Sequence, residues 1–226
     1  MYKYFPILSF LLMSNFLIAQ DNITVTNPVA DQILRGNFNP SDFQSTVVVE
    51  HPQTIIENIQ NQVNTDSIIR YLEVLSSFET RNSGSDTLSN ERGFGAARRW
   101  VFSKFQQFSE QNENRLIPSY LQFDLEICGI NQHRNIFGVL PGSDVDNHNV
   151  IIVEAHMDSR CENVCDVDCL AEGVEDNGSG TALVLELARL MSQFTFDHTI
   201  VFLVTTAEEQ GLLAVSYTHL TLPTKA

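Results

Sequence analysis

Three runs between residues 150 and 209 decide the fold: VIIVEAHMD (150–158), GVEDNGSGTALVLELARLM (173–191) and TIVFLVTTAEE (199–209). Residues 150–155 and 199–205 are short, apolar and bounded by turn or polar residues, as strands buried on both faces by helices should be. Between them, residues 179–191 place Ala182, Leu183, Leu187, Leu190 and Met191 at helical spacing. Strand, loop, helix, strand makes a right-handed crossover in a parallel sheet. The expected architecture is therefore a three-layer α/β/α sandwich around a mostly parallel central sheet. Chemistry in such sheets collects at the carboxyl ends of the strands.

Working outward, residues 135–140 form a third short apolar run, with Pro141-Gly142 and the polar residues 144–149 as the turn after it. Residues 119–127 alternate Tyr120, Gln122, Asp124 and Glu126 against Leu121, Phe123, Leu125 and Ile127, the period of a half-exposed strand. From Ser67 the spacing of Ile68, Ile69, Leu72, Leu75 and Phe78 is helical, with Asp66 as candidate N-cap. A polar stretch, 82–90, breaks that helix. A second helix covers about 91–108, burying Phe94, Ala97, Val101 and Phe105 and leaving Arg98-Arg99 solvated. Residues 21–65, rich in Asn, Gln, Asp and Thr and punctuated by Pro28, Pro40 and Pro52, read as an extended lead-in or pro-segment.

The first twenty residues carry one charge, Lys3, then an apolar run over 5–18 and the small residue Ala19. That is the pattern of a signal peptide (1–20) and implies a secreted or periplasmic protein. A membrane anchor is the competing reading, but Pro6 and Asn15 interrupt the run, which falls short of the ~20 apolar residues of a span. No cysteine follows it to carry a lipid. Thirteen Lys and Arg against 28 Asp and Glu give a net charge of −15, which repels nucleic-acid phosphate and anionic membrane alike. The four cysteines, Cys128, Cys161, Cys165 and Cys169, suit disulfides in an oxidising compartment better than a metal knuckle. A bridge within 161–169, or from there to Cys128, is expected, and three connectivities are open.

Three polar clusters converge on one sheet edge. His156-Met157-Asp158 follows the 150–155 strand, Ala207-Glu208-Glu209 follows the 199–205 strand, and Glu175-Asp176-Asn177-Gly178 precedes the intervening helix. An imidazole among carboxylates is a donor set that suits zinc. A histidine beside a strand is more often plain hydrogen-bonded surface, but Asp158 can hold its distal ring N–H, as carboxylates do for zinc-binding histidines. Asp176 is equally a candidate N-cap for the next helix. Glu208-Glu209 could be a solvated acidic pair, yet adjacent side chains leaving a strand point apart, so one can bind metal while the other carries protons. The acids of 161–172 are equally a solvated loop pinned by a disulfide.

Together HMDS (156–159), GVEDNGSGTALVLELARLM (173–191) and TTAEEQGLLA (205–214) resemble the exported co-catalytic di-zinc aminopeptidase family, whose relatives include glutamate carboxypeptidases and glutaminyl cyclases. The resemblance implies His156 as ligand of one zinc, Asp176 as the carboxylate bridging two, and Glu209 as ligand of the other. It implies Glu208 as general base, Asp158 as the residue orienting His156, and a cis peptide between Asp176 and Asn177. It further implies peptide substrates with a free N-terminus. Two other readings stay open: a non-catalytic exported binding module on the same fold, and a single-zinc, glutaminyl cyclase-like acyltransferase. Asn177-Gly178-Ser179-Gly180 favours the peptidase over the cyclase, whose pattern has smaller apolar residues after the Asp.

The family's pattern needs an Asp and a His beyond Glu209 that do not follow here, so residues 66–214 are expected to be the N-terminal part of a catalytic domain, inactive alone. In that case Val201, Leu203 and Leu187 should lack partners. Residues 215–226, including His219, depart from the pattern and look similar to translated adapter read-through, which reads as a non-native tail; a short Thr-rich strand is the alternative.

Overall fold

A computed structural model describes residues 22–49, 51–144 and 149–213. The expected signal peptide (1–20) and the expected non-native tail (215–226) lie outside the described residues. In chain order the elements are β1 (Thr24–Val25), α1 (Pro28–Leu34), α2 (Pro52–Gln62), α3 (Thr65–Ser77), α4 (Gly93–Gln111), β2 (Ile117–Ile127), β3 (Ile130–Leu140), β4 (Val150–His156), α5 (Gly180–Met191) and β5 (Thr199–Thr205). Among the described residues the five strands make one sheet in the order β1-β2-β3-β5-β4.

The sheet differs from the expectation in its strand directions. β4 and β5 are parallel, as their helical connection through α5 requires, with Val150 opposite Thr199 and His156 opposite Thr205. The pairs β1–β2, β2–β3 and β3–β5 are antiparallel, so among the described residues the sheet is mostly antiparallel. The cause is local. Cys128 and Gly129 both have positive φ, 49° and 87°, and join β2 to β3 as a two-residue hairpin, a connection that can only produce antiparallel strands.

Both sheet faces are covered. On one, α3, α4 and α5 bury Leu75, Phe94, Phe105 and Leu185 against Ile136, Leu140, Ile200, Phe202 and Val204. On the other, Ala30 and Ile33 of α1 pack on Leu121, Phe137, Val139, Val201 and Leu203. The lead-in is therefore not simply extended. Asn27 caps α1 by accepting from the Val29 N–H at 3.0 Å, Pro28 fits the first helical turn, and β1 pairs with β2. As a result Val201 and Leu203, expected to lack partners, are each only 2% exposed. β4 reverses the opposite expectation: among the described residues it lies at the end of the sheet, and Val150, Ile151 and Ile152 are exposed.

Two helix details also differ. The N-cap of α3 is Asn64, which accepts from the Ser67 N–H at 3.0 Å, rather than Asp66. Arg98 and Arg99 are partly buried; Arg99 donates to the carbonyls of Thr87, Leu88 and Ser89 and so ties down the loop before α4. Among the described residues no helix is long and apolar enough to cross a membrane.

Candidate active site

The parallel pairing of β4 with β5 sets the two strand ends side by side, His156 opposite Thr205. The chain leaves β5 through a turn whose four successive backbone N–H groups are each accepted by a buried side chain. Thr206 donates to Asn135 Oδ1 (3.1 Å) and Ala207 to Ser83 Oγ (2.9 Å). Glu208 donates to Asp158 Oδ1 (3.3 Å) and Glu209 to Asp158 Oδ2 (3.0 Å). Ala207 takes a φ of 58°, which costs a residue with a Cβ about 1–2 kcal/mol. The acceptors from β3, the 82–90 loop and the end of β4 hold it there. Glu208 and Glu209 are thus aimed by a rigid cradle.

Asp158 is fully buried, with Oδ1 3.5 Å from His156 Nδ1, and that ring nitrogen is 3.2 Å from the Asp158 backbone carbonyl. The sequence suggests only that Asp158 orients His156; the structure adds that its carboxylate anchors the Glu208-Glu209 turn. On the far side of the ring, Nε2 lies 3.0 Å from Asp176 Oδ1 and 3.8 Å from Glu208 Oε2. Burial works against a charged imidazole here. The hydrogen bond and charge of Asp158, with the charges of Glu208 and Asp176, outweigh it and raise the His156 pKa to about 9. The carboxylates gather positive charge at this imidazole.

Asp176 is delivered by the loop before α5. Gly173 has a φ of +48°, and a Cβ there would meet Ser159 Cβ at 2.5 Å and Asp176 O at 2.7 Å, so only glycine lets the loop close onto the end of β4. The peptide between Asp176 and Asn177 is cis, matching the expectation. Asn177 Oδ1 accepts from the Gly180 N–H at 2.9 Å, and so Asn177, not Asp176, caps this turn. A cleft of 270 Å³ opens here, lined by Glu154, Ala155, His156, Asn177, Thr205, Glu208 and Leu212.

Two ligands of one tetrahedral zinc stand about 3.3 Å apart, given metal–ligand distances of ~2.0–2.1 Å. His156 Nε2 and Asp176 Oδ1, at 3.0 Å, are close to that spacing. Glu209 is elsewhere: its Oε2 receives Arg160 Nε at 2.6 Å. Among the described residues no three His, Cys, Asp or Glu side chains converge tightly enough to hold a metal. The structure therefore assembles His156, Asp158, Asp176 and Glu208, and leaves Glu209 paired with an arginine.

Several contributors escape sequence reading. Arg81, fully buried, donates to the carbonyls of Met157, Leu75, Glu172 and Gly173. Burial lowers its pKa to about 10, against an opposing pull from Asp158, so it stays charged at neutral pH. Ser83 also meets Thr206 Oγ1 at 2.8 Å, and Ser159 Oγ donates to Ala171 O at 2.6 Å. Residues 80–85 are polar without periodicity, so the sequence shows a break there and no sign that the break is buried. The cysteines pair as Cys128–Cys165 and Cys161–Cys169, with none free among the described residues. They pin the loop whose Val164 carbonyl accepts from Asn82 Nδ2 and Gln210 Nε2.

Residues 135–221 match the description of Peptidase family M28. A probable zinc metalloprotease of Pyrenophora teres f. teres is 36% identical over 175 residues, covering 73% of this chain and 37% of that protein. The aminopeptidase YwaD of Bacillus subtilis is 34% identical over 84 residues, 37% of this chain and 17% of its own length. Among solved structures, the LapA aminopeptidase of Legionella pneumophila superposes with a TM-score of 0.58 at 25% identity, covering 80% of this chain and 47% of that one. The chain thus spans less than half the length of these relatives. In its strand-end motifs, its matched residues and its fold, the chain is thus similar to peptidase family M28 and to zinc metalloproteases.

Proposed function

We propose that His156, Asp176 and Glu209 are zinc ligands of a secreted aminopeptidase that holds two zinc ions, with Glu208 as general base and Asp158 as the residue that orients His156 and the Glu208-Glu209 turn. The observation that carries this reading is the convergence of Asp176 and Glu208 on His156 Nε2, above a buried Asp158, at the mouth of a cleft. Glu209 would hold the metal in place of Arg160; its N–H is already held by Asp158, so only its side chain would need to turn.

Zinc, when bound, supplies a Lewis acid and lowers the pKa of an attacking water toward neutrality. Glu208 takes the proton of that water and returns it to the leaving amine. Its carboxylate is partly exposed and borders the cleft, where substrate and solvent arrive. Between His156 and Asp176 the chain carries five acids over 162–175 with no Lys or Arg among them, a concentration of negative charge that suits the free ammonium group of a peptide N-terminus.

The test is hydrolysis of an aminoacyl-4-nitroanilide, beside its N-acetylated counterpart, by the protein that carries this segment. Cleavage of the free-amine substrate alone, reduced 10²–10⁴-fold by Glu208→Gln with zinc content unchanged, is the expected result. Equal cleavage of both substrates, or full activity of Glu208→Gln, contradicts the assignment.

A further inference from the structure

Among the described residues, Arg81 is a cation without a carboxylate in contact. It is 0% exposed, and its guanidinium spends its donors on backbone carbonyls of three separate segments. Nε bonds Met157 O (2.8 Å), Nη1 bonds Leu75 O (3.0 Å) and Glu172 O (2.6 Å), and Nη2 bonds Gly173 O (2.9 Å). Burying a charge is costly unless hydrogen bonds satisfy it, and here they do. Leu75 O belongs to the last turn of α3, where carbonyls lack helical partners. Capping a helix, however, needs one donor; the other three go to the site.

Met157 lies between His156 and Asp158. Glu172 and Gly173 begin the loop that delivers Asp176. The backbone of residue 81 repeats the link: its N–H donates to Ser159 Oγ (3.0 Å), and its carbonyl accepts from the Ser159 N–H (3.3 Å). Thr80 forms a parallel bridge with Ala171, and the Ala171 N–H donates to Glu79 O (2.8 Å). The fit is close on the loop side, since a Cβ on Gly173 would come within 2.9 Å of Arg81 Nη2.

We propose that Arg81 is a positioning residue of the metal site: one planar guanidinium, bonded to Met157 on one side and to Glu172 and Gly173 on the other, sets the separation between His156 and Asp176. The inference rests on the reading of those two residues as ligands. Lysine keeps the charge but offers three donors on a single nitrogen and cannot span both loops. Arg81→Lys should therefore loosen the two loops while leaving the sheet in place.

The test is backbone hydrogen exchange of the full chain, wild type against Arg81→Lys and Gly173→Ala, with cobalt(II) titrated into each and followed by its visible spectrum. The expected result is exchange at least tenfold faster over 157–160 and 171–178, unchanged exchange in α5 and β5, and cobalt affinity lowered about 10–100-fold, the cost typical of losing a group that orients ligands. Gly173→Ala, whose Cβ also meets Ser159 and the Asp176 carbonyl, should show the same loop loosening with the guanidinium intact, and Arg81→Gln, measured in the same way, decides the matter if Arg81→Lys does not fold. Exchange that rises equally in α5 and β5, loops that stay protected, or loosened loops with unchanged cobalt affinity would each overturn the proposal. If the wild-type chain takes up no cobalt, the ligand reading fails instead, and protected loops in both variants overturn the clamp.

Discussion

Replacing Asp158 by Asn tests the cradle beneath the two glutamates. The wild-type carboxylate, fully buried, accepts from the N–H groups of Glu208 and Glu209 through different oxygens. Asparagine has one acceptor oxygen, so one of these donors must face an NH₂ group. A hydrogen bond to a charged group contributes roughly 1.5–3 kcal/mol, and a buried donor left without a partner costs about 1–3 kcal/mol. A loss of about 2–3 kcal/mol is expected. For a domain of this size each kcal/mol moves the unfolding midpoint by roughly 2–4 °C, so Asp158→Asn should melt about 5–10 °C lower. Hydrogen exchange should locate the damage, because the 208 and 209 amides should lose protection while β5 keeps its own. Differential scanning calorimetry supplies the midpoint. An unchanged midpoint together with protected 208 and 209 amides would refute the role given to Asp158.

Other expectations concern the frame around the site. Glu186, 2% exposed, accepts from the Asn64 N–H and pairs with Arg189, which holds α5 to the start of α3. Burial alone would raise its pKa, but the Arg189 hydrogen bond, the Asn64 N–H and the Arg189 charge bring it below the ordinary value. A depressed carboxylate adds stability above its unfolded pKa of about 4.5 and loses it as the pH falls through the folded value. Glu186→Gln should therefore cost about 1–3 kcal/mol at neutral pH and flatten the fall of melting temperature below about pH 4.5, read by thermal scans across pH. Cys128→Ser with Cys165→Ser opens a loop of 37 residues and should cost up to about 4 kcal/mol by loop-closure entropy. Denaturant titration measures it, and an unchanged midpoint would show that the bridge constrains nothing.

What the sequence showed plainly were features with a local period or a local motif. The run 199–205 is buried at every position and matches β5 residue for residue, and the helical spacing of 179–191 matches α5 to within one residue. His156, Asp158, Asp176 and Glu208 meet because each lies directly after a strand or before a helix whose place that spacing fixes. Other features depended on long-range partners. The antiparallel pairing of β3 with β2 rests on positive φ at Cys128-Gly129, and Cys-Gly is not a common hairpin pair. Apolar 150–155 gave no hint that β4 ends the sheet among the described residues, with Val150 and Ile151 exposed. Leu183 sits at helical spacing and is yet 53% exposed, while Val184 and Leu185 are buried. Arg81, Ser83 and Asn135 leave no periodic trace, since a buried polar side chain is recognised only by its partners. The pairing of Glu209 with Arg160, 49 positions apart, is of the same kind.

The central claim is that His156 and Asp176 bind one zinc ion together. Isothermal titration of zinc into the chain measures it directly, beside His156→Ala and Asp176→Asn. The account predicts saturable zinc binding that each substitution weakens by at least tenfold, with unfolding midpoints measured in chelator close to wild type. Zinc binding equally strong in both variants, or none in the wild-type chain, would contradict it.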